Sequence, residues 1–129
     1  APIKSIGNST NDARDLVNDL DVKIILMALS ESVASRLREN GFQCKVVEIS
    51  VRDNELYHFS RQCKLKRPTN ITDEIVQAAY RLFKDNYRWE HPIRSLGVRG
   101  CDLVSDDMPY QWTYLLVNRK EKSWKRWIR

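Results

Sequence analysis

The sequence predicts an α+β fold: a four-stranded antiparallel sheet with two helices packed on one face, in the order β-α-β-β-α-β. Three observations carry that expectation. Residues 19–40 and 72–87 repeat apolar side chains at helical spacing. Between them, residues 44–52 and 56–65 alternate apolar and polar side chains on either side of Asp53-Asn54. At opposite ends, Lys4-Ser5-Ile6-Gly7-Asn8-Ser9-Thr10 and Ile93-Arg94-Ser95-Leu96-Gly97-Val98-Arg99 each join an extended apolar stretch to one glycine and to cations or hydroxyls.

Residues 4–9 read as a short strand or extended lead-in, and residues 8–15 as polar and turn-rich. A helix then starts at Asp19 or Asp21 and reaches Asn40. Val22, Ile25, Met27, Leu29, Val33 and Leu37 keep approximate helical spacing, with Ile24 and Leu26 widening the stripe. Asp21 is the expected N-cap. Gly41 is expected just past the helix end, where glycine takes the left-handed conformation cheaply, with Phe42 closing a hydrophobic contact behind it. In the next strand Val47, Ile49 and Val51 share one face, and Val46, Glu48, Ser50 and Arg52 the other. In its partner, Tyr57, Phe59, Arg61 and Cys63 oppose His58, Ser60, Gln62 and Lys64. Asp53 and Asn54 tolerate positive φ and suit a two-residue hairpin. That register sets Cys44 opposite Cys63, as two buried thiols rather than a disulfide.

Residues 66–70 read as a basic loop broken by Pro68. Thr72 is the expected cap of the second helix, with Asp73 and Glu74 near its positive end. Ile75, Ala78, Ala79, Leu82 and Phe83 form its buried stripe, and it should stop near Tyr87. Residues 93–104 form the last strand. The helices cover one sheet face and leave the other open, carrying polar and cationic side chains.

The chain has 129 residues, enough for one domain, and 22 Lys and Arg against 17 Asp and Glu, a net charge of +5. That bias alone fits a soluble basic surface equally well. Position favours a nucleic-acid partner, because the cations crowd the segments after Arg52. No apolar run is long enough to span a bilayer, and no signal peptide is evident. The three cysteines (Cys44, Cys63, Cys101) form no C-x-x-C pair, which argues against zinc and for a reducing, cytoplasmic compartment. The opening Ala1-Pro2 reads as the start of a domain excised from a longer chain.

Catalytic signatures are missing. There is no P-loop, no dinucleotide fingerprint and no H-E-x-x-H. His58 and His91 lack obvious partners, and Asp106-Asp107 reads as a solvated acidic loop rather than a metal-holding pair. The expectation is a chain with no catalytic residue and no metal of its own. The cations make a better constellation. Arg94 and Arg99 flank Leu96-Gly97-Val98, Arg61 and Lys64 lie on the neighbouring hairpin, and Lys66-Arg67 follow. Gly97 would let another backbone approach. Arginines, serines and free backbone N–H groups are the usual phosphate ligands. The open hairpin face carries few of the aromatics that a base-stacking or RNA-binding sheet would need. Salt-sensitive, sequence-independent tracking of duplex phosphates fits better.

In order along the chain, Lys4-Ser5-Ile6-Gly7-Asn8-Ser9, residues 46–65 with Ser60-Arg61, Thr72-Asp73-Glu74-Ile75 and Ile93-Arg94-Ser95-Leu96-Gly97-Val98-Arg99 resemble the little finger of Y-family translesion DNA polymerases. This is the C-terminal DNA-binding domain of the UmuC/DinB (ImpB/MucB/SamB) group. The resemblance covers residues 4–104. It implies a domain that straddles primer–template DNA on its major-groove side and takes part in lesion bypass in DNA repair and the SOS response. Palm, fingers and thumb would precede it, with Mg²⁺ held by carboxylates of the palm. Ser5, Gly7 and Asn8 would supply one phosphate-contacting segment, and Arg61, Arg94, Ser95 and Arg99 the others, with Lys64 beside them. Ser95, where some relatives carry a second arginine, and Cys63-Lys64, where a Ser-Arg-type pair is common, depart from the pattern.

Residues 105–129 differ in character and read as a tail to the domain of residues 1–104. Gln111-Trp112-Thr113-Tyr114-Leu115-Leu116 resembles the sliding-clamp-binding peptide of bacterial polymerases. Gln111 would hydrogen-bond at the mouth of the clamp pocket while Leu115 and Leu116 fill it. Trp112 and Tyr114 stand where leucines are usual, and a further strand or an apolar flap on the domain is an equally open reading. Trp124, Trp127 and Ile128 keep helical spacing in a basic context, as a docked tail helix or a membrane-surface helix. The alternative to DNA binding is an α+β interaction domain that docks a partner protein through this aromatic tail.

Overall fold

A computed structural model describes residues 5–55 and 57–105. The candidate clamp peptide (Gln111, Trp112, Tyr114, Leu115 and Leu116), Asp106-Asp107 and the basic segment after residue 119 lie outside the described residues. The elements are β1 (Ser5–Leu16), α1 (Asp19–Glu39), β2 (Phe42–Asp53), β3 (His58–Thr69), α2 (Thr72–Asn86) and β4 (Ile93–Ser105). The strands order as β1-β4-β2-β3, and every neighbouring pair is antiparallel. β4, last in sequence, therefore lies in the middle of the sheet beside β2. Both helices pack on one face, against Val47, Ile49, Val51, Leu96 and Val98, all at most 2% exposed.

α1 forms from one apolar stripe: Val22, Leu26, Leu29, Val33 and Leu37 are buried, with Ser30 and Ala34 beside them. Met27 and Ile24, expected on that stripe, are 50% and 55% exposed. Successive helical residues turn by about 100°, so Met27 points well away once Leu26 faces the sheet. The N-cap is Asn18 rather than Asp21: Asn18 Oδ1 accepts from the Asp21 amide at 2.9 Å. At the other end Gly41 adopts φ 74°, the left-handed turn expected of it.

β1 runs through the stretch expected to turn. Polar side chains do not prevent pairing there, because main-chain groups of β4 supply the ladder from Ser5↔Cys101 to Asn11↔Ser95, then again at Leu16↔Ile93 after an irregularity. The hairpin is also longer than two residues. Asp53 donates its amide to the Tyr57 carbonyl at 2.9 Å, and its Oδ1 accepts from the amides of Glu55 and Tyr57 at 2.8 and 3.0 Å. Its side chain thus stands in for backbone partners within the turn.

β3 extends through the expected basic loop to Thr69. It is an edge strand, where the missing N–H of Pro68 is tolerated. Its register jumps between Val46↔Lys64 and Cys44↔Thr69, so residues 65–68 bulge out of the ladder. The longer hairpin loop overturns the expected facing of Cys44 and Cys63, because it shifts the whole register between Arg52↔His58 and Val46↔Lys64, and the bulge moves Cys44 further along. Cys63 pairs with Val47, Cys44 with Thr69, and all three cysteines are free. Burial pushes the Cys44 thiol up to about 12.

The cap position of α2 is Ile71, not Thr72. No side chain caps it, and the Ile71 amide instead donates to Thr69 Oγ1 at 3.0 Å. The Thr72 hydroxyl donates to Glu31 of α1 at 2.6 Å, so it ties the helices together. α2 stops at Tyr87, as expected. Among the described residues no helix is long and apolar enough to cross a membrane.

Candidate nucleic-acid interface

Strand register decides which side chains meet on the helix-free face. Residues paired across an antiparallel ladder share a face, so the pairings resolve into rows across the sheet. One row is Ser5, Cys101, Val46 and Lys64. The next is Gly7, Arg99, Glu48 and Gln62, followed by Ser9, Gly97, Ser50 and Ser60, and then by Ser95, Arg52 and His58. Gly7, Ser9, Ser50, Ser60, Gly97, Glu48 and Arg99 line a shallow concavity of about 440 Å³. Small side chains keep its floor low, and hydroxyls make it polar.

Gly97 sits at the centre of that floor. A Cβ there would lie 2.4 Å from Ser50 Oγ and 3.3 Å from Ser9 Cβ. Its missing side chain makes room for these two serines, so an approaching ligand meets hydroxyls as well as the bare backbone expected from sequence. Arg99 forms one wall. Its Nη1 donates to Ser5 Oγ at 3.0 Å, and its Nε lies 3.9 Å from Glu48 Oε1. Cys101, in the adjoining row, has its Sγ 4.0 Å from the same carboxylate oxygen, and burial followed by that negative charge raises its thiol. Arg94 is exposed beside a register shift, next to Ser95.

Not all of the expected contact residues gather here. Ser5, Gly7, Lys64, Ser95 and Arg99 share the open face. The side chains of Asn8 and Arg61 belong to the helix side, although Asn8 also borders the concavity, its main-chain oxygen 3.6 Å from where a Cβ at Gly97 would sit. Asn8 donates its Nδ2 to Ser32 of α1 at 3.0 Å, and Arg61 donates to Asn86 of α2 at 3.3 Å while its guanidinium lies over the Phe59 ring at 5.1 Å. Parity explains this: Arg61 and Lys64 are an odd number apart on one strand and cannot face the same way. The residues missed by the sequence reading are Ser9, Glu48, Ser50, Arg52, His58, Ser60 and Gln62. Alternation already grouped those of β2 and β3 by face, but only register sets them beside Gly97 and Arg99.

The aromatic side chains collect on the other side. Phe59 and Tyr87 lie 6.1 Å apart, Phe83 and Tyr87 5.3 Å, and Phe83 and Trp89 5.8 Å. This concentrates ring surface near α2 and leaves the concavity to hydroxyls and charges. Among the described residues no group of three or more His, Cys, Asp or Glu could hold a metal ion.

Two helices behind a β1-β4-β2-β3 sheet, with the opposite face open, define the little-finger fold of polymerases. A solved complex of beta-clamp processivity factor and the little finger domain of PolIV matches with a TM-score of 0.64 at 14% identity, over 81% of this chain and 92% of that one. The chain belongs to the impB/mucB/samB family C-terminal domain, whose family model matches residues 3–112. DNA polymerase IV of Acetivibrio thermocellus is 48% identical over 106 residues, covering 82% of this chain and 27% of that protein. DNA polymerase IV 2 of Bacillus subtilis is 37% identical over 109 residues, covering 81% of this chain and 26% of that protein. The chain thus spans about a quarter of the length of these relatives.

Proposed function

We propose that the helix-free sheet face grips primer–template DNA through its phosphates, independently of sequence, as the accessory DNA-holding domain of a lesion-bypass polymerase. The observation that carries this reading is the concavity itself: a glycine and serine floor walled by Arg99, with Lys64 and Ser95 on the same open face. Hydroxyls and guanidinium groups position a phosphate backbone without reading bases. Membership of a family whose relatives are named DNA polymerase IV supports it. In this reading residues 1–104 form the gripping domain of a cytoplasmic DNA polymerase, and Mg²⁺ and the nucleotidyl-transfer chemistry belong to a palm domain elsewhere in the parent protein.

Fluorescence anisotropy with primer–template duplexes at low and physiological salt tests it. Affinity should fall steeply with salt and be indifferent to sequence. Arg99→Ala and Arg94→Ala should each flatten the log–log salt slope by about 0.9 per lost phosphate contact. Arg61→Ala, on the helix side, should change affinity by less than about two-fold. Absence of binding at low salt, or binding indifferent to salt, would overturn the reading.

A second reading concerns residues 105–129. Gln111, Leu115 and Leu116, with Trp112 and Tyr114, serve as a docking peptide for the sliding clamp. The solved little-finger neighbour in complex with beta-clamp supports it. Retention of the chain on immobilised clamp, and its loss in Leu115→Ala/Leu116→Ala, is the expected result.

A further inference from the structure

The concavity contains a group that a phosphate-binding surface should avoid. Glu48 lines it, and its carboxylate faces the space a phosphate would enter. A carboxylate beside a phosphate is repulsive, so its presence on this face asks for a physical reason. Register supplies one. Glu48 is paired directly with Arg99, and Arg99 with Gly7. Arg99 lies flat across Gly7: a Cβ at position 7 would sit 3.0 Å from Arg99 Cζ and 3.2 Å from its Cβ and Cγ. Ser5 on one side and Glu48 on the other then hold the guanidinium. The Arg99 side chain is still 51% exposed, and that of Glu48 31%. The pair is therefore wet and easily exchanged, because partly solvated pairs are weak.

We propose that Glu48 is an internal counter-ion that parks Arg99 in the free domain and is displaced by phosphate when duplex binds, so that it lowers affinity in a set proportion. This rests on the duplex-binding reading above. Arg99 keeps Ser5 Oγ as a neutral acceptor in both states and exchanges only its anionic partner. The exchange leaves Glu48 facing the nucleic acid without its cation. Binding is thereby weaker than the Arg99 charge alone would provide, as suits a domain that must slide along phosphates rather than lock onto them.

The test compares the domain with Glu48→Gln, which keeps the side-chain shape and removes the charge. Anisotropy with a primer–template duplex at low salt should show roughly two- to five-fold tighter binding for Glu48→Gln. Its salt slope should be steeper by up to about 0.9, the increment for one further phosphate neutralised. In parallel, the Arg99 Nε–H resonance, assigned by its absence from Arg99→Ala, should move in free Glu48→Gln and move in the wild type as duplex is added. Equal thermal melting of the variants establishes that they fold. Wild-type binding that Glu48→Gln leaves unchanged or weakens overturns this proposal alone. An Arg99 resonance that ignores Glu48→Gln overturns the parking. Failure of both proteins to bind at low salt, with the resonance still shifted by the substitution, overturns the duplex-binding reading and the exchange with it.

Discussion

Gly100→Val should destabilise the domain through one contact on the covered face of the sheet. Gly100 is buried on β4, opposite Val47 of β2 and Ile6 of β1. A Cβ built on it would lie 3.1 Å from Cys44 Cβ, 3.2 Å from Cys44 Sγ and 3.5 Å from Leu37 Cδ1. Carbon pairs prefer about 3.5–4.0 Å, so even alanine requires the neighbours to yield by a few tenths of an ångström. Cys44 and Leu37 are both fully buried and have little room to do so. Alanine also removes unfolded-chain entropy, worth about 0.4–1 kcal/mol in its favour. Gly100→Ala should therefore lie near neutral. Valine adds two more methyls with nowhere to go, and overpacking of this kind costs about 1–3 kcal/mol. Urea unfolding of wild type, Gly100→Ala and Gly100→Val measures the series. Cys44→Ala in the valine background removes the sulfur at 3.2 Å and should recover part of the loss. A Gly100→Val protein as stable as wild type, with no coupling to Cys44, would refute the argument that Gly100 sets how closely α1 approaches the sheet.

Two further outcomes follow from packing and charge. Leu26→Ala should cost about 2–5 kcal/mol by leaving a cavity. Met27→Ala, at a half-exposed site, should stay within about 0.5 kcal/mol of wild type, and equal effects in urea titrations would contradict the observed rotation of α1. Asp19 accepts from Lys84 Nζ at 2.5 Å and from Trp89 Nε1 at 2.8 Å, and these bonds hold its carboxyl below the usual range. A depressed carboxyl stabilises the fold above its unfolded-state value, and the gain is lost as pH falls through the folded-state value. Asp19→Asn should therefore lower the urea midpoint at neutral pH and flatten its fall as pH drops through and below the ordinary carboxylate range; an unchanged acid limb would show that the bonds carry no stability.

Much of this domain is legible along the chain because its periods are local. The stripe from Val22 to Leu37, the alternation of Val47, Ile49 and Val51, and the glycine at 41 each follow from geometry within a few residues. They yield the element order and a sheet with one covered face. Cap identities escaped for a different reason: Asn18 and Asp21 are caps of equal rank, and the Thr72 hydroxyl, intrinsically the better cap than Ile71, is claimed by Glu31 of α1.

The functional face depends on something no local window contains. β4 enters between β1 and β2, and the length of the hairpin loop sets the register of β3. A slip of one residue would send every side chain of a strand to the opposite face. The expected contact residues therefore separate, with the side chains of Arg61 and Asn8 going to the helix side and those of Lys64 and Arg99 to the open one. Chain chemistry alone is enough to define a helix-backed sheet bearing serines, glycines and arginines. That Arg99 rests on Gly7 beside Glu48, and that Ser50 leans over Gly97, follows only from long-range pairing, because ladder hydrogen bonds and core burial, not the side chains on the open face, choose the register.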